Sequence, residues 1–227
     1  VASQLGSVEL VSQNGGVLLP PVLNAFVDID IRTFAGLVVT TPLANVAGDV
    51  VLQSSGSSVI LNDDVISANS LAISAKTGIT QAVGLVKAAN LTLDNLTATP
   101  IVVASGGNDV DRFAAKNVGA VTFADANDFR VGISSVGPMG VEVSGSTVNL
   151  SAGGTIRVVA GIDTQGLTIT AGSVEFVTTN AGDNPGQQFA GTLRDMIAVS
   201  NQNLDRQTPQ AMVFDEQLVD GSGNPLP

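Results

Sequence analysis

The sequence contains no Cys, no His, no Trp and no Tyr. Without Cys and His, the usual ligand sets for zinc, copper, haem and iron–sulfur centres are missing. A Ser-His-Asp triad and a Cys-His dyad are excluded for the same reason. Without Trp and Tyr, the common platforms for stacking sugars or bases are gone, and eight Phe supply every ring. Charge is scarce as well, at 13% of residues against roughly 25% in an average chain. Positive charge is scarcest: Lys+Arg is 9 against Asp+Glu 20, a net charge of -11. Such a chain repels nucleic-acid backbones and anionic membranes, and its natural counterpart is a cation or a partner with basic patches. Apolar residues make up 44% and mean hydropathy is +0.36. Yet no apolar run approaches the ~18–20 residues of a membrane span, so no membrane insertion is expected. The absence of Cys leaves an extracellular location open. No signal peptide is visible, and the start at Val1 rather than Met suggests a processed form or a fragment.

What is present is a succession of short β-type runs separated by Gly, Ser, Asn, Asp and Thr. Val50-Val51-Leu52, Leu71-Ala72-Ile73, Leu91-Thr92-Leu93, Val121-Thr122-Phe123, Val148-Asn149-Leu150 and Ile156-Arg157-Val158 are examples. Most read apolar–polar–apolar, which gives each strand one core side. Their spacing is nearly constant. The offset from Val50 to Leu71 is 21, from Leu71 to Leu91 it is 20, and from Val59 to Ile79 it is 20. Ile101 to Val121 and Val121 to Val141 are both 20. Phe129 to Val148, Val148 to Leu167 and Val8 to Val27 are each 19, and Val17 to Leu37 is 20. Interleaved series that share one period point to a solenoid. About 20 residues with no intervening helix suit one coil of a parallel β-helix, with two or three short strands per coil. The competing architecture is an antiparallel sandwich or jelly roll. Hairpin dipeptides count against it, because only Asn14-Gly15 and Asp220-Gly221 occur.

The period stops near Asn180. Residues 1–179 are expected to form the β-helix and 180–227 a C-terminal cap and tail. Phe189, Leu193, Met196 and Ile197 share one helical face, which predicts a short helix over 188–199. A strand is predicted at Met212-Val213-Phe214, followed by the linker-like Gly221-Ser222-Gly223-Asn224-Pro225-Leu226-Pro227. Helix and strand together would cover the open edge of the last coil.

The repeats resemble those of filamentous-haemagglutinin-like large exoproteins of bacteria. The likeness is carried by Asp49 to Ala75, Gly78-Ile79-Thr80-Gln81-Ala82-Val83-Gly84, Ala88-Ala89-Asn90-Leu91-Thr92-Leu93, Asn108 to Ala115 and Val148 to Ile156. It extends over Asp49 to Phe176, is weak ahead of Asp49 and is absent from the C-terminal forty or so. The secretion-domain signature that starts such proteins is not visible. The resemblance implies an all-β, right-handed parallel β-helix, secreted to the bacterial cell surface and adhesive in role.

Three sets of carboxylates merit testing: Asp63 with Asp64, Asp109 with Asp111, and Asp125 with Asp128. Paired carboxylates could cleave glycosidic bonds or hold Ca²⁺, and Gly106-Gly107-Asn108-Asp109-Val110-Asp111 faintly resembles a glycine-rich calcium turn. The simpler reading is that these aspartates cap coil corners. Lys76, Lys87 and Lys116 read as solvated surface residues, and Thr does not recur at one position in successive coils as an ice-binding ladder requires. No residue is therefore assigned a catalytic, cofactor-binding or metal-ligating role. The expectation is a non-enzymatic extracellular structural or adhesive β-solenoid, either the subunit of an end-to-end fibre or part of a giant exoprotein. Its expected partners are copies of itself and a host-cell or polysaccharide surface. The alternative is a β-helical protein that binds or cleaves polysaccharide with surface carboxylates.

Overall fold

The computed structural model of the chain describes residues 6–132, 140–178 and 210–214. Among the described residues there is no helix, and every strand pairing is parallel. The architecture is a β-solenoid of about 8 turns with about 21 residues per turn. The antiparallel alternative is thereby excluded.

The alternation seen in the sequence decides which side chains enter the bore. Strand Ile29–Thr33 alternates buried and more open positions, and so does Val50–Ser54. Parallel, in-register pairing stacks equivalent positions ~4.8 Å apart, so each inward residue meets its counterpart in the next coil. One inward column runs Val8, Ile29, Val50, Leu71, Leu91, Phe113, Val131, Val158, Phe176. A second sheet carries Leu37, Val59, Ile79, Ile101, Val121, Val148 and Leu167. A third, shorter column carries Leu23, Leu43, Val65 and Val86. All of these residues are buried. Burying one such side chain stabilises the fold by ~1.5–3 kcal/mol, and the columns share that gain evenly along the rod.

Three rings interrupt the aliphatic filling. Phe113 stacks on Phe123 with ring centroids 4.1 Å apart and planes within 6°, and Phe129 meets both edge-on. The small Ala115 occupies the inward position after Phe113 and offsets its bulk. The cluster sits where the coil length changes. In the main column the coil from Phe113 to Val131 is shorter than those before it, and the next, from Val131 to Val158, is longer. Here one face divides. Phe129–Val131 continues the first half of strand Asp109–Asn117, and Val141–Val143 continues its second half.

The long coil explains where the sequence spacing goes astray. Val121 pairs with Val148, not with Val141, and Phe129 pairs with Ile156, not with Val148. Val8 pairs with Ile29, because Val27 falls at a bend. The strand expected at 212–214 is present as Gln210–Phe214 and adds a parallel rung to Ser173–Thr178. The helix expected over 188–199 lies outside the described residues.

Corners between strands bring backbones into contact. Gly84 has φ +83, and a Cβ there would collide with the backbone of Asp63 in the preceding coil. Two expected outcomes follow from the packing. Phe113→Ala should lower the free energy of unfolding by ~3–5 kcal/mol, read from denaturant midpoints. Gly84→Ala should cost more than ~1 kcal/mol although no side-chain contact is removed, because both the left-handed backbone and the clash oppose it.

Candidate functional site

The corners also account for most of the conspicuous aspartates. Asp28 Oδ1 accepts a hydrogen bond from the Asp49 amide at 2.9 Å, and Asp49 Oδ1 accepts one from the Ser70 amide at 3.1 Å. Asp64 Oδ1 accepts from the Leu85 amide at 2.8 Å, and Asp128 Oδ1 from the Thr155 amide at 2.6 Å. In each case a carboxylate of one coil takes a backbone N–H of the next. Asp63 Oδ1 accepts from the adjacent Asp64 amide. Asn45 makes a side-chain stitch of the same kind, accepting from the Ala68 amide, and Asn95 makes one in the opposite sense, accepting from the Gly78 amide of the preceding coil.

The glycine-rich segment is built for structure too. Asn108 is fully buried; its Oδ1 accepts from the Val86 amide and Gln81 Nε2, and its Nδ2 donates to Gln81 Oε1 and the Ala124 carbonyl. Asp125 is buried and accepts from the Val110 and Asn127 amides, each at 2.8 Å. Burial holds the Asp125 carboxyl above the ordinary aspartate value, against the lowering by those two amides. Asp109 instead pairs with Lys87 Nζ at 2.5 Å, and that hydrogen bond holds it below the ordinary range. Asp111 is exposed. Among the described residues no three carboxylates converge as a metal cradle would require. Lys116 faces Glu142 at 3.7 Å and Lys76 is exposed. Thr80, Thr122 and Thr168 share one outward column with Val102 and Asn149 between them, so no continuous Thr ladder forms.

A separate surface feature carries the basic side chains. A solvent-open groove of about 460 Å³ is lined by Asp111, Arg112, Asp128, Phe129, Arg130, Thr155, Arg157 and Glu175. Its floor is a ladder. Arg112 pairs in register with Arg130, Arg130 with Arg157, and Arg157 with Glu175. Arg157 donates from Nε to Glu175 Oε2 at 2.7 Å, and its second nitrogen lies 2.5 Å from the same oxygen. Arg112 and Arg130 are exposed, and among the described residues neither lies within ion-pairing distance of a carboxylate. Guanidinium groups held near the rung spacing repel by ~1 kcal/mol in water, where both of these exposed side chains lie. Phe129 and its neighbours in the ring cluster hold the floor from below.

A second groove of about 260 Å³ lies among Val11, Arg32, Phe34 and Gln53, but Arg32 is already held by Asp30 through two hydrogen-bonded nitrogens. The arginine ladder was not singled out from the sequence. Its signature is nonetheless present in Phe129-Arg130-Val131 and Ile156-Arg157-Val158, where Arg recurs between two inward residues.

No family model matches this chain, and no curated protein and no solved structure is significantly similar to it.

Titration of Asp125 gives a signed expectation. Its folded-state proton affinity exceeds that of the unfolded chain, so the fold loses stability as pH rises from 3.8 through the raised value. Asp109 acts oppositely, adding stability as pH rises through the window below 3.8. Thermal melts from about pH 3 to pH 7 should show a decline in the upper window for the native chain. Asp125→Asn should abolish that decline and leave the acid-side rise. Asp64→Ala should cost ~0.5–1.5 kcal/mol near neutral pH, because the Leu85 amide loses its acceptor.

Proposed function

We propose that this chain is a non-enzymatic, extracellular structural or adhesive β-solenoid, working as one length of a longer surface fibre or exoprotein. The observation that carries this reading is the continuous parallel ladder. From Val8 to Phe176 the coils are pinned to one another by backbone hydrogen bonds and a shared, mostly aliphatic column. Such a rod resists bending and offers proteases few loose segments.

Two further features support it. Of the paired aspartates, Asp63, Asp64, Asp125 and Asp128 accept from backbone amides, which suits architecture better than proton transfer. The first coils expose large apolar side chains, with Leu18 95% accessible and Phe26, Phe34 and Val46 also open to solvent. Exposed apolar side chains continue along the rod at Val83, Leu96 and Val118, and such surface favours contact with another rod. Secretion to a bacterial surface belongs to the same proposal and rests on the repeat resemblance.

Electron microscopy of the purified chain at rising concentration tests the reading. Isolated rods should measure roughly 40 Å along eight coils, from ~4.8 Å per rung, and should lengthen in multiples as they associate end to end. Limited proteolysis should leave a core containing residues 8 to 176. Monodisperse single rods at millimolar concentration would remove the fibre. Hydrolysis of a polysaccharide that is lost on Asp109→Asn or Asp111→Asn would remove the non-enzymatic assignment.

A further inference from the structure

We infer that the groove floored by Arg112, Arg130 and Arg157 is a binding site for an acidic polysaccharide carrying carboxylate groups along its chain. This goes beyond the structural role and holds whether or not the rods assemble.

The argument starts from how the described arginines are used. There are four, and two of them hold a carboxylate: Arg32 holds Asp30, and Arg157 holds Glu175. The other two, Arg112 and Arg130, stand side by side one rung apart with none. In a chain with only 9 basic residues and a net charge of -11, three of those nine share one outward column. The column itself shows what its arginines take. On the next rung, Glu175 supplies a carboxylate to Arg157 through two nitrogens. A ligand carboxylate placed beside Arg130 or Arg112 would repeat that contact down the ladder and relieve the repulsion between the two guanidinium groups.

A sugar chain is favoured over a peptide because every one of its residues presents hydroxyl donors beside the carboxylate. Asp111 and the Thr155 hydroxyl lie in the same groove and can accept from sugar hydroxyls. The net negative charge opposes long-range attraction, so the contact acts only within a Debye length of ~8–10 Å and weakens with salt.

Polygalacturonate, its fully methyl-esterified form and free galacturonate are the probes, titrated against the full chain by calorimetry at low salt. Binding is expected for the acidic polymer, at least tenfold weaker for the ester, and weakening as salt is added. R112Q/R130Q should lose at least tenfold, R112K/R130K should lose part because the charge stays while the fork is lost, and R32Q should change nothing. Equal binding of the ester would overturn the inference, as would an unaffected R112Q/R130Q. Equal losses in R32Q would show diffuse charge rather than a site. If free galacturonate competes as well as the polymer per carboxylate, the groove holds an adventitious ion only, and the polysaccharide is wrong. Circular dichroism of each variant checks the fold; if the double variant unfolds, R130Q alone is to be read against R32Q.

Discussion

Everything in this molecule depends on parallel, in-register stacking of one coil upon another at a fixed separation. That separation sets the repeat of the side chains as firmly as it sets the backbone hydrogen bonds. Inward positions must then be filled by residues that pack on copies of themselves, and Val, Leu and Ile do so without leaving voids. Outward positions must tolerate a like neighbour on either side. Thr, Ser, Asn and Val do; charged groups do so only at a cost, which makes the Arg112–Arg130–Arg157 column conspicuous.

The acidity of the chain takes on a different meaning in this frame. Composition alone pointed toward a cation or a basic partner. Asp28, Asp49, Asp64 and Asp128 are instead engaged at corners, each receiving an amide of the following coil. A corner leaves N–H groups that the strand ladders cannot satisfy, and a short side chain with free acceptors is the simplest remedy. The charge of these four aspartates is thus a by-product of turning the chain within each coil. The arginines have no such task, and the two without a carboxylate stand beside each other.

Fold class, parallel pairing and approximate coil length were legible in the sequence, because a side-chain alternation of two and a period near twenty both leave their mark on apolar residues. Val50, Leu71 and Leu91 were placed in their true register. Register failed at Val121 and Phe129, because the coil from Val131 to Val158 is longer than the others and a fixed period cannot anticipate an insertion inside a face. The corner role of the aspartates was legible as turn chemistry. The arginine ladder was not, since Arg112, Arg130 and Arg157 are unevenly spaced along the chain and align only once the unequal coils are stacked. The Asn108–Gln81 pair and the hold of Asp125 on the Val110 amide escaped for a related reason. Their members lie well apart in the chain, and only the fold brings them together.

The direction of the corner contacts has a consequence for how the chain reaches this state. Asp28, Asp49, Asp64 and Asp128 each point their oxygen toward residues that come later in the chain. A finished turn therefore offers a preset docking point to the stretch that has not yet arrived. A polypeptide emerging amino end first can wind itself progressively, each loop serving as the mould for its successor, while Asn95, Asn108 and Asp125, whose oxygens face earlier amides, close their contacts once that successor has arrived.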